Sequence, residues 1–111
     1  MNLTKAALNA LAFAHLTGRM PKYIRLNTWH VVYNCLEGTA LEYQLKPECL
    51  PLVAEHPMVT AVRQLEAEGW RIDKSGYHVK VRQGVGLVRE VGDKRQETRV
   101  WPSGKQGRIF G

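Results

Sequence analysis

Residues 59–81, VTAVRQLEAEGWRIDKSGYHVKV, change period part-way along. Met58, Val62 and Leu65, with Val59 alongside, recur at helical spacing, and Pro57 suits a first helical position. They predict a helix over about 57–68 that Gly69 ends. Trp70 and Ile72 then begin a strand, and Ser75-Gly76 turns it into a second one. There Tyr77, Val79 and Val81 alternate with His78, Lys80 and Arg82, so one face is apolar and the other basic. Gly84-Val85-Gly86 predicts the next turn, with LVREV (87–91) returning.

On the N-terminal side of this stretch, residues 3–16 predict a helix. Asn2 or Thr4 can cap it, Gly18 lies just past its end and Pro21 prevents continuation. Leu3, Ala7, Leu8, Leu11, Ala14 and Leu16 surround most of its circumference, so it must bury two sides. Packing within one chain accounts for this, and the alanines would also suit a homodimer contact. The segment YIRLNTWHVVYNCLEGTALEYQL (23–45) admits two readings. Trp29, Val31, Val32, Tyr33 and Cys35 favour a strand, with a hairpin turning near residues 37–39. Thr28 as a cap, with Leu36 and Gly38 at the end, would make a short helix instead. The density of β-branched and aromatic residues favours the strand. Pro47, Pro51 and Pro57 punctuate the next segment, and Pro51 can open a single helical turn. Residues 92–108 are polar and rich in Gly, Lys and Arg, interrupted by Trp101 and ended by Ile109-Phe110. They read as an extended or mobile tail. The expected fold is α+β: an N-terminal helix, a central helix and a C-terminal antiparallel hairpin or small sheet over 1–92, with a basic tail over 93–111.

A chain of 111 residues that is 44% hydrophobic suits one folded domain. No apolar run approaches the roughly 20 residues of a membrane span. Asn9 and His15 interrupt the N-terminal apolar run, which fits an amphipathic helix better than a signal peptide and implies a cytoplasmic protein. Cys35 and Cys49 lack a CxxC or a second metal-ligand pair, and His56 stands seven residues beyond Cys49, so no metal is expected. No cofactor is expected either: Arg89 replaces the third glycine that GVGLVR would need for a dinucleotide site, and no phosphate-binding loop appears. No nucleophile or paired catalytic group is indicated, and the chain reads as non-enzymatic.

The net charge of +6 is unevenly placed. Residues 1–36 hold four bases and no acid, residues 37–73 three bases and seven acids, and residues 74–111 nine bases and three acids. Such a balance is a footprint for phosphate. Lys80, Arg82, Arg89, Lys94, Arg95 and Arg99 are the expected phosphate contacts, with His78, Tyr77 or Trp101 available to stack on single-stranded bases. The competing expectation is a solvated basic face that protects a sheet edge.

VRQLEAEGWRI followed by a hairpin resembles the winged helix-turn-helix proteins over about a third of the chain. That resemblance would make 57–68 the recognition helix, with Thr60, Arg63 and Gln64 toward the bases, and 77–91 the wing. The acidic surroundings of this helix and the three prolines before it depart from the pattern. LEAEGWRIDKSGYHVKV (65–81) also resembles HicA-type toxins, RNA-cleaving proteins with a double-stranded-RNA-binding-like fold. That would make His78 the catalytic base, although the Gly-Ser-His order and the closing helix of that family are absent. A further reading is a phage- or mobile-element-type protein that binds and inhibits a host protein complex. Trp29, Trp70, Trp101 and Ile109-Phe110 would be its anchors, and the tail would fold on binding.

Overall fold

The computed structural model describes residues 3–22, 24–39, 41–74 and 84–107. Helix α1 spans Lys5–Thr17. Thr4 accepts the Ala7 N–H at 3.1 Å, and Gly18, at φ 75°, donates its N–H to the Ala14 carbonyl. Both ends therefore close as the sequence predicts. Ala7, Ala10, Leu11, Ala12, Phe13, Ala14 and Leu16 are all buried. The small residues admit neighbours on several sides, and α1 touches both later helices and both sheets. Ala7, Ala10, Ala12 and Ala14 are thus covered within the chain, while Ala6 is exposed.

Helix α2 spans Leu26–Tyr33, and a two-stranded antiparallel hairpin comes after it, β1 (Leu36–Thr39) with β2 (Glu42–Leu45). The strand expected through Trp29 to Cys35 is therefore a helix up to Tyr33. The register pairs Leu36 with Leu45 and Thr39 with Glu42, so the chain reverses after Thr39 rather than at 37–39. A 3-10 turn occupies Pro47–Leu52, and α3 occupies Pro57–Ala67 with Met58, Val59, Ala61, Val62 and Leu65 buried. The element before α3 is this 3-10 turn, not the α-helix of a helix-turn-helix.

The second sheet is antiparallel, in the order β3 (Arg71–Ile72), β4 (Val85–Val91), β5 (Lys94–Val100), β6 (Gln106–Gly107). It corrects two expectations. Val85 and Gly86 belong to β4, and Asp73 donates its N–H to the Gly86 carbonyl, so 84–86 is no turn. Residues 94–100 are no tail: β5 pairs with β4 over seven positions, from Val85–Val100 to Val91–Lys94. A boundary at residue 92 would cut this hairpin at its own turn. The expected strand 77–82 and its Ser75-Gly76 turn lie outside the described residues. The fold is α+β, and no helix among the described residues is long and apolar enough to cross a membrane.

His56 joins two of these elements. Its Nδ1 accepts the Met58 N–H at 3.1 Å, capping α3, and its Nε2 lies 2.8 Å from the Asn9 side-chain oxygen on α1. Accepting at Nδ1 places the proton on Nε2, where it is donated to Asn9. Burial holds the His56 pKa below 6.5, and burial together with the Arg63 charge does the same to His15. The folded state resists a proton that the unfolded state accepts. Stability is therefore fully present above about pH 6.5 and declines as the pH falls toward the folded pKa values. His56→Ala should cost about 1 kcal/mol at pH 8 through the lost cap. It should also reduce the loss of stability between pH 8 and pH 5.5, measured by urea denaturation. An unchanged pH response in His56→Ala would assign the effect elsewhere.

Candidate nucleic-acid interface

Alternation along β4 and β5 sorts the expected contacts onto two faces. Val85, Leu87, Arg89 and Val91 share one face with their register partners Val100, Thr98, Gln96 and Lys94. The Val85 end of this face is buried in the core and the Val91 end emerges into solvent. At the transition, the Arg89 guanidinium lies over the Trp70 ring, 4.6 Å from its centroid, and Nε donates to Gln96 Oε1 at 2.7 Å. Lys94, at the solvent end, is exposed and makes no ion pair among the described residues.

The opposite face carries Val88 and Glu90 of β4, Arg95, Glu97 and Arg99 of β5, and Arg71 of β3. Arg71 pairs with Glu90 at 3.1 Å, and Arg95 with Asp73 at 3.3 Å and Glu97 at 3.0 Å. Exposed pairs of this kind contribute about 0–1 kcal/mol each and weaken with salt, so a phosphate can compete for the same guanidinium groups. Arg99 is different. It is only 3% exposed, and its Nε has no hydrogen-bond partner. Burial lowers its pKa while Glu97 opposes the shift. A side chain in that position does not meet a phosphate from solvent, so Arg99 leaves the set of contacts. Lys80, Arg82, Tyr77 and His78 lie outside the described residues.

On α3, Thr60, Arg63 and Gln64 are exposed. Arg63, however, donates to Glu66 one turn on and lies 3.5 Å from His15 Nε2. Arg63 and Gln64 on the one hand and the sheet cations on the other therefore occupy separate elements.

Of a third group only Trp29 was among the expected contacts, as an anchor for a protein partner. Leu26, Trp29, His30 and Tyr33 recur at helical spacing along α2, with Leu26 72% and Tyr33 47% exposed. The Trp29 and Tyr33 rings stack, 4.8 Å between centroids and 14° between planes. Tyr43 of β2 stands edge-on to Tyr33 at 6.4 Å, and His30 edge-on to Trp29 at 5.5 Å. Lys22 and Arg25 before this helix, and Arg19 after α1, are exposed and unpaired among the described residues. The strand reading through Trp29 to Cys35 hid this stripe, since period two separates His30 from Trp29 and Tyr33.

Compared with known proteins, the chain matches no family model, no curated protein and no solved structure. The side chains on its surfaces are therefore the guide to what it can bind.

Proposed function

We propose that the protein binds nucleic acid without catalysing a reaction on it, through the β4–β5 hairpin and the segment between β3 and β4. The concentration of cations supports this: nine bases stand against three acids over residues 74–111. Arg89, Lys94 and Arg95 reach solvent from the paired strands β4 and β5, and Lys80 and Arg82 lie in sequence between β3 and β4. These five are the phosphate contacts, and Arg63 and Gln64 on α3 are secondary candidates for base contact.

Fluorescence anisotropy with labelled single- and double-stranded DNA and RNA at two salt concentrations tests the proposal. Engagement of about five phosphates would give a log–log salt slope of about −4 to −5. Changing Lys80, Arg82 and Arg89 together to Ala should weaken binding and flatten that slope by about 2–3. A slope unchanged in the triple variant would defeat the assignment.

A second reading, capture of a host protein complex, draws on Trp101, which is 36% exposed. Its ring lies against Gly107, where an added Cβ would come within 2.8 Å of it. Removing 101–111 would therefore strip β6 from the sheet, and ending the chain after Gly107 is the cleaner truncation. Capture of the same partner by that shorter chain would take the anchor role away from Ile109-Phe110.

A further inference from the structure

We infer that the Trp29–Tyr33–Tyr43 ladder is a second contact surface, on which bases of a single-stranded nucleic acid stack. The inference rests on the nucleic-acid reading but concerns a different face of the molecule, built by α2 and β2. Three observations carry it. The Tyr33 ring is exposed and stacks in parallel on the half-buried Trp29, with the half-buried Tyr43 edge-on behind it. Leu26 and Tyr33 remain open to solvent at 72% and 47%, an exposure that an ordinary core helix does not show.

Charge is the second observation. The first 36 residues hold four bases and no acid. Arg25 precedes Trp29 by one helical turn, and the Trp29 N–H donates to its carbonyl at 2.8 Å. Arg19 sits at the other end: the Tyr43 N–H donates to the Gly18 carbonyl at 2.7 Å, and Arg19 is the next residue. Arg25 thus adjoins the ladder at Trp29 and Arg19 follows the residue bonded to Tyr43, two exposed cations available to phosphates of a strand whose bases meet the rings.

The placement of the nearby acids is the third. In the β1–β2 hairpin, Tyr43 shares its face with Gly38, Leu36 and Leu45, while Glu37 and Glu42 point to the other face. Glu42 is also engaged by Lys74 at 3.6 Å. Leu36 and Leu45 on Tyr43's face are buried, so Tyr33 offers the open ring of the ladder, and the Glu42 carboxylate, beside Gly18, is offset by Lys74. A duplex hides its base faces and cannot use such a ladder, so single strands are the occupant that fits.

The test measures anisotropy of a short labelled oligothymidylate and of a duplex of the same length, with the full chain and two variants. Tyr33→Leu keeps apolar area and loses the stacking ring, whereas Tyr33→Phe keeps the ring. Tyr33 is half exposed, so neither change opens the core. Single-strand affinity should fall about 5- to 100-fold in Tyr33→Leu and be restored in Tyr33→Phe, with duplex affinity unmoved in both. Unchanged single-strand affinity in Tyr33→Leu, equal losses for single strand and duplex, or duplex binding without single-strand binding would each overturn the ladder while leaving the sheet interface standing. Failure of the unaltered chain to bind either probe would remove the nucleic-acid reading itself, and the ladder with it.

Discussion

Leu11→Ala should lower the stability of the protein by about 3–4 kcal/mol. Leu11 is completely buried at the middle of α1, the helix that touches α2, α3, β2 and β4. Its removal leaves a cavity walled by several elements, and no single one of them can move in to fill it without losing contact elsewhere. A domain of this size is stable by only about 5–15 kcal/mol, so the loss is a large fraction of the whole. The expected signature is a urea midpoint shifted to much lower concentration with an unchanged slope, and a melting temperature lower by about 10–20 °C. Leu8→Ala is the internal control, because Leu8 lies on the same helix and is only partly buried. Equal effects at the two positions would mean that α1 is not the centre of the core.

Gly38→Ala should cost about 2–4 kcal/mol, from two sources that can be separated. Gly38 holds φ at 109°, a conformation that side-chain-bearing residues rarely adopt, and an added Cβ would lie 2.5 Å from the Glu42 carbonyl oxygen. That oxygen belongs to the backbone of the β1–β2 hairpin and cannot swing aside, so the pairing of Gly38 with Tyr43 must open. Gly92→Ala supplies the comparison. Gly92 also has positive φ, at 66°, but no atom lies near its missing Cβ, so only conformational strain of about 1–2 kcal/mol applies. Thermal denaturation should rank the two variants in that order. Near-ultraviolet circular dichroism should change for Gly38→Ala alone, since Tyr43 stands against the Trp29–Tyr33 stack. Equal costs would show that the Gly38 contact is relieved by a shift elsewhere.

The helices that announce their ends were legible in the sequence. Thr4 and Gly18 bound α1 as expected, and Pro57 opens α3, because caps are local chemistry and need no tertiary context. Helix α2 begins at Leu26 after Arg25, which supplies no side-chain cap, and its β-branched and aromatic residues carry strand propensity. Burial of Val32 and the Trp29–Tyr33 stack override that preference, and neither is visible without the partners they meet. Strand β5 was hidden for the opposite reason. KRQETRV looks like a solvated tail, yet Thr98 and Val100 alternate toward the core, and Arg95 and Glu97 pair on the other face. At the candidate interface, Arg89 and Arg95 could be picked from charge alone. The burial of Arg99 could not, because it depends on the register that places Arg99 opposite Gly86 beside the buried Val88.

The central position of α1 also governs how the chain is made. This helix leaves the ribosome well before β4, one of the elements that covers it, which lies some seventy residues further along. At about 5–20 residues per second, several seconds pass in which a strongly apolar helix lacks part of its cover. During that interval α1 is a substrate for whatever binds greasy nascent segments, a chaperone or another unfinished copy. The same burial that makes Leu11 the keystone of the finished protein makes α1 the segment most open to misassociation during synthesis, and the yield of correctly folded chains should rise when chaperones are abundant.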